Sequence, residues 1–175
     1  GLVGSEMCIR DRYNTLGIIS NELERYDEAI EYHSKSLDYA IKAGMDYISQ
    51  IISLNNLGVV YKKQKKYKEA IKYYERALSF KKLHLEHPKQ YAMLLDNLSH
   101  ARFLLGEMTG LPQNFFIPLR IRDSIKDTFG KIINNVHLAE FYLHSKDTLT
   151  AKLYVKEAFM LAENNKRYGD MLTPL

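Results

Sequence analysis

Residues 54–78 read LNNLGVVYKKQKKYKEAIKYYERAL, and two helices can be read from this stretch. Ile48, Ile51, Ile52, Leu54, Leu57, Val60 and Tyr61 follow a 3.6-residue rhythm. The rhythm lapses over Gln64, Lys65 and Lys66. It resumes with Tyr67, Ala70, Ile71, Tyr74, Ala77 and Leu78. Gly58 on the first helix and Ala70 on the second are small, so two antiparallel helices can approach closely there. A larger side chain would hold the backbones apart.

The same phrase recurs along the chain. Leu57-Gly58 repeats Leu16-Gly17, and "YDEAIEY" from Tyr26 matches "YKEAIKY" from Tyr67 at the same offset. A further step of that length reaches Leu98-Ser99, and a step shorter by one reaches Leu138-Ala139. Tyr61 and Tyr142, Ala70 and Ala151, and Ala77 and Ala158 are equivalent. In the first copy Ser20, His33 and Ser36 stand at core positions. The third departs most: Ser99 replaces Gly, Arg102 replaces Tyr, and Leu111 and Pro118 replace the two alanines. Four copies at a near-constant period predict an all-α superhelix of antiparallel helix pairs. With only 9 Gly and 4 Pro in 175 residues, breakers are too scarce to oppose it.

The predicted helices span 13–23, 26–43, 46–64, 67–86, 88–105, 112–127, 129–145 and 148–165, with another starting near 168. They group into repeats at 13–44, 46–86, 88–127 and 129–165, and "RYGDMLTPL" reads as the opening of a fifth. Residues 13–175 are thus expected to form one array. Gly44 marks a C-terminal stop, Pro88 a helix start, and Asp147-Thr148 an N-terminal cap. Pro118 removes a backbone donor and crowds the carbonyl of Asn114. A kink, or a helix starting only near Ile117, is expected there.

The Leu-Gly, Tyr and paired Ala positions resemble the tetratricopeptide repeat across nearly all of residues 13–165. The long period is similar to that of repeats in bacterial signalling proteins and kinesin light chains. "YAMLLDNLSHARFLLGEM" and "LRIRDSIKDTFGKIINNVHLAEFYLHSKDTLTAKLYVKEAFMLAE" resemble the repeat-containing sensor regions of bacterial histidine kinases and transcriptional regulators. This resemblance implies a protein- or peptide-binding module within a signal-input region. A free-standing adaptor or scaffold is the alternative. The resemblance also implies a concave groove on the first helix of each pair. Its residues are then Asn14, Ile18, Asn21, Asn55, Val59, Lys62, Asp96, His100, Phe103, Val136, Glu140 and Leu143. Asparagine can both donate to and accept from an extended peptide. The Lys-Asn clamp by which some family members hold a C-terminal carboxylate is missing, because Asn14/Ile18 and Asn55/Val59 occupy its places.

No other chemistry stands out. His137 and His144 could share a helical face with Glu140 between them, but a metal site needs three or four convergent ligands, and structural histidines are the ordinary reading. No metal or other cofactor is expected. Lysines interleaved with Tyr67, Tyr73 and Tyr74 span a turn, where solvated charge is usual, so nucleic acid is a weak expectation at a net charge of +4. Arg120, Arg122, Asp123 and Asp127 read as surface ion pairing. No nucleophile elbow, phosphate loop or carboxylate pair argues for an enzyme. No apolar run reaches the length of a membrane span. Both cytoplasm and periplasm stay open, since no targeting signal is recognised. Apolar ends of the stack are expected to promote self-association.

Residues 1–12, GLVGSEMCIRDR, match nothing later in the chain. They lack the apolar stretch of a signal peptide, and Gly1, Gly4 and Ser5 oppose helix formation. They resemble a translated transposon-end sequencing adapter and are expected to be non-biological. With them goes Cys8, the sole cysteine.

Overall fold

A computed structural model describes residues 2–165, with side chains from Met7 onward. The helices are α1 (Leu2–Glu22), α2 (Tyr26–Lys42), α3 (Tyr47–Lys63), α4 (Tyr67–Leu78), α5 (Leu83–Glu86), α6 (Pro88–Leu105), α7 (Gln113–Ser124), α8 (Thr128–His144) and α9 (Thr148–Asn164). There are no strands among the described residues. Two compact units result, Gly1–Lys81 and Lys82–Leu175. Within the first, α1 packs on α2, α2 on α3 and α3 on α4. Within the second, α6 packs on α7, α7 on α8 and α8 on α9. The fold is the expected all-α arrangement of antiparallel helix pairs. The helix expected from 168 lies outside the described residues.

The pairs close on the small residues. A Cβ placed on Gly17 would lie 2.6 Å from the His33 ring, and one on Gly58 would overlap the Tyr74 ring. His33 and Tyr74 stand at the same offset from their glycines, and both are buried. Each ring therefore sits against bare backbone. Within the pairs, stacked tyrosines also brace one helix against the other: Tyr13 on Tyr32 and Tyr39, Tyr61 on Tyr73, and Tyr142 on Tyr154.

The helix ends follow local chemistry. Asp46, Asp127 and Asp147 accept the amides of Ser49, Gly130 and Thr150 in N-terminal caps. Gly44 ends α2 in the left-handed conformation at φ 61°, and the Met45 amide bonds back to the Ala40 carbonyl. Glu24, Lys65, Lys126 and Lys146 take the same left-handed position in four other turns. These residues carry no turn signal of their own.

Four expectations need correction. Residues before Tyr13 do not break the helix, since α1 begins at Leu2 and passes through Gly4 and Ser5. A glycine costs a helix about 1 kcal/mol, while each residue added to an existing helix gains a backbone hydrogen bond. The helix expected over 67–86 is two helices. α4 stops at Leu78, the Ser79 hydroxyl donates to the Arg76 carbonyl, and Phe80 turns out to stack on Tyr47 at 5.6 Å. α7 starts at Gln113 rather than Ile117 and runs through Pro118. It also ends at Ser124, short of the expected 127.

The tolerance of Pro118 has a specific cause. Its missing N–H would have bonded the Asn114 carbonyl. The Ser99 hydroxyl, from α6, lies 3.3 Å from that carbonyl and shares its proton between it and the Leu95 carbonyl. The next carbonyl, that of Phe115, accepts from Asn134 Nδ2 of α8 at 3.1 Å. Side chains from both flanking helices thus supply donors around the proline.

His33 gives a pH signature for the first unit. Burial lowers its pKa from 6.5 to about 4. The folded state holds the ring neutral, whereas the unfolded chain protonates it near 6.5. Its contribution is complete above pH 6.5 and is lost as pH falls towards 4, at about 1.4 kcal/mol per pH unit. Replacing it with the tyrosine used at the equivalent Tyr74, His33→Tyr, is expected to flatten this slope. Urea unfolding of both proteins at pH 7 and pH 5 measures the difference.

Candidate functional site

The first helices of the pairs carry the candidate groove residues, and the two units treat them differently. In the first unit Asn14 of α1 is half-buried and Ile18 is exposed, and Asn14 Oδ1 accepts from Asn56 Nδ2 of α3 at 2.8 Å. Asn21 and Asn55 are buried, while Val59 and Lys62 are half-buried. Asn21 Nδ2 reaches Glu22 at 3.4 Å, and its Oδ1 is buried with no hydrogen-bond partner among the described residues. Asn55 Nδ2 donates to Asn56 at 3.5 Å. The unit therefore carries a strip of amides, buried at Asn21 and Asn55, with Ile18 exposed and Lys62 half-buried beside it.

In the second unit Asp96, His100 and Phe103 of α6 are buried, and Glu140 and Leu143 of α8 are more open. A continuous polar chain links the two helices. Glu140 Oε2 pairs with His100 Nε2 at 2.8 Å. The His100 ring lies on the His137 ring with centroids 3.8 Å apart. His137 Nδ1 meets Asp96 Oδ1 at 3.0 Å, and Arg122 of α7 donates to Asp96 Oδ2 at 2.8 Å. Burial alone would raise the Asp96 pKa. The His137 and Arg122 charges outweigh that and hold it at about 2. Arg122 is thus an internal ion-pair partner, not the surface charge expected from sequence. No local signal reveals this, because its partner lies on another helix far upstream.

Beside this chain lies an open cavity of about 330 Å³ lined by Phe103, Leu104, Glu140, Leu143 and His144. His144 meets the Phe103 ring edge-on at 5.4 Å. The structure brings Phe103, Glu140 and Leu143 together here, with His100 and Asp96 behind Glu140. Val136 lies elsewhere, packed against the cluster of Ile132, Ala158 and Ala162. His137 and His144 each have these other partners, and no group of three metal-ligating side chains is assembled among the described residues. Among the lysines of the α3–α4 turn, Lys63 pairs with Glu22 at 3.3 Å, and Tyr74 is a core residue.

The sequence profile of the tetratricopeptide repeat matches residues 12–82. Residues 12–82 carry tetratricopeptide repeats. The match covers two helix pairs, α1–α2 and α3–α4. No curated protein matches the chain. Tetratricopeptide repeats generally mediate protein–protein interaction and are typically non-catalytic modules. Among the described residues no helix is long and apolar enough to cross a membrane.

The buried ion pair makes the second unit sensitive to one carboxylate. Asp96→Ala leaves the Arg122 guanidinium buried without its partner and is expected to cost about 3–5 kcal/mol. Because the folded Asp96 pKa is depressed, this contribution is present above pH 3.8 and lost as pH falls towards 2. Chemical denaturation of both proteins at neutral pH measures the loss.

Proposed function

We propose that the chain is a peptide- or protein-binding repeat module whose ligand lies along the first-helix faces. The cavity between Phe103, Leu143 and Glu140 supports this reading most directly. It offers an apolar floor for one side chain and a carboxylate at its wall. The amide strip of Asn14, Asn21 and Asn55, with Ile18, Val59 and Lys62 beside it, suits an extended backbone that needs both donors and acceptors. Asp96 and His100 then position Glu140, while Val136 supports α8 from behind. The recognition residues are held by helices, so little ordering cost falls on the receptor side.

In this reading residues 13–175 act as one array in the signal-input region of a bacterial signalling protein. The wording shared with sensor regions supports that assignment, and a free-standing adaptor is the second reading. Residues 1–12 are left out of the recognition surface, in keeping with a family match that begins at residue 12. The proposed role is binding, with no catalytic step and no nucleic-acid ligand.

Selection of a random-peptide display library on the 175-residue chain tests the reading. A consensus peptide is expected, with binding weakened at least tenfold by Leu143→Asp or Ile18→Asp, and unchanged by Arg120→Glu on the outer face of α7. Failure to enrich any consensus, or a consensus indifferent to both groove substitutions, would overturn it.

A further inference from the structure

Equivalent positions in the repeats are not equally buried. Leu57 and Val60 on α3 are each 1% exposed. One period earlier, Leu16 and Ile19 on α1 are 43% and 51% exposed. The later equivalents, Leu98 and Ala101 on α6 and Leu138 and Phe141 on α8, are buried. With Leu23, the two α1 residues form an apolar stripe at helical spacing. It is the face that α3 turns towards the preceding helix pair.

The other end shows the reverse. His33 and Leu37 on α2, and Tyr74 on α4, are buried. Their equivalents on α9, Val155 and Phe159, are 49% and 47% exposed. They line an open furrow of about 480 Å³ between α8 and α9, together with Ala139, Leu143 and Ala151. Within the first unit the matching furrow between α1 and α2 is filled, because α3 lies against both helices. The Ser36 and Ser53 hydroxyls meet across that contact at 3.0 Å. In the second unit α8 lies against α6 and α7 in the same way.

The α1 stripe and the α8–α9 furrow are therefore the two halves of one contact that the chain already makes internally. We propose that copies of this chain associate head to tail, with α1 of one copy seated in the α8–α9 furrow of the next. The contact continues the α2–α3 packing between molecules, so it uses no surface of a new kind. It is heterologous: each copy offers one stripe and one furrow, and the association does not close after two copies. The furrow shares Leu143 with the peptide cavity proposed above, but the contact uses neither the Phe103–Glu140 pairing nor the amide strip, and its test leaves Leu143 unchanged.

Sedimentation velocity on three proteins tests it. The wild-type chain is expected to show a mass that rises with concentration and does not stop at a dimer. Leu16→Glu/Ile19→Glu blocks the stripe, and Val155→Glu/Phe159→Glu blocks the furrow. Each is expected to be a helical monomer by itself. An equimolar mixture retains one good stripe and one good furrow, and is expected to stop at the heterodimer. A wild-type monomer throughout the micromolar range overturns the inference. A blocked variant that still associates alone, or a mixture that stays monomeric, also overturns it.

Discussion

The structure depends on the absence of a side chain at two places. At Gly17 and Gly58 a ring from the facing helix, His33 or Tyr74, occupies the volume a Cβ would need. Glycine is a poor helix residue, costing about 1 kcal/mol relative to alanine. The packing offsets that cost, because the ring can be buried flat against the backbone. The contact fixes the spacing within a pair. The spacing then sets where the next pair rests, as α3 does against α1 and α2. An aromatic in that place also excludes water from the pair, so His33 is held uncharged.

The second unit reaches a similar arrangement with different residues. Ser99 stands where the glycines stood, and Phe115 is the buried ring at the matching offset. A Cβ is present there, and α7 begins only at Gln113, later than the strict period would put it. The hydroxyl that comes with the Cβ is used, since it reaches the carbonyl that Pro118 cannot serve. In the last pair Ala139 is matched by the smaller Val155. The polar core of this unit is equally specific. Arg122, Asp96, His137, His100 and Glu140 form one chain from the interior to the cavity wall. The orientation of Glu140 towards a ligand is thereby tied to groups on α6, α7 and α8.

Much of this was legible from residues alone, for a physical reason. Helical repeats bury the same few positions each period, so Leu57-Gly58, Ala70 and Ala77 announce themselves by recurrence. Caps such as Asp147 and stops such as Gly44 act locally and were readable. What escaped depended on contacts between distant segments. Arg122 looked like a surface charge because nothing near it in sequence reveals Asp96. Pro118 looked disruptive because its compensating donors, Ser99 and Asn134, belong to other helices. The break after Leu78 follows from Phe80 reaching back to Tyr47, at the start of α3. The turns at Lys65 and Lys146 adopt left-handed backbone with residues that favour helix, so only the repeat period located them. For the candidate groove, the family resemblance implied the residues on the first helices but could not say which were open. Leu143 faces solvent, while Asp96 is spent on an internal ion pair.

The glycine–ring contact makes a prediction of unusual sign. Alanine is the better helix former, so Gly58→Ala in an unconstrained helix would stabilise by about 1 kcal/mol. Here the added methyl must displace Tyr74, and such overpacking costs about 1–3 kcal/mol. Urea unfolding of wild type, Gly58→Ala, Tyr74→Leu and the double variant measures the balance. The account predicts that Gly58→Ala destabilises the wild-type background and is neutral or stabilising once Tyr74→Leu has removed the ring. A Gly58→Ala protein as stable as wild type, or a cost unchanged by Tyr74→Leu, would contradict it.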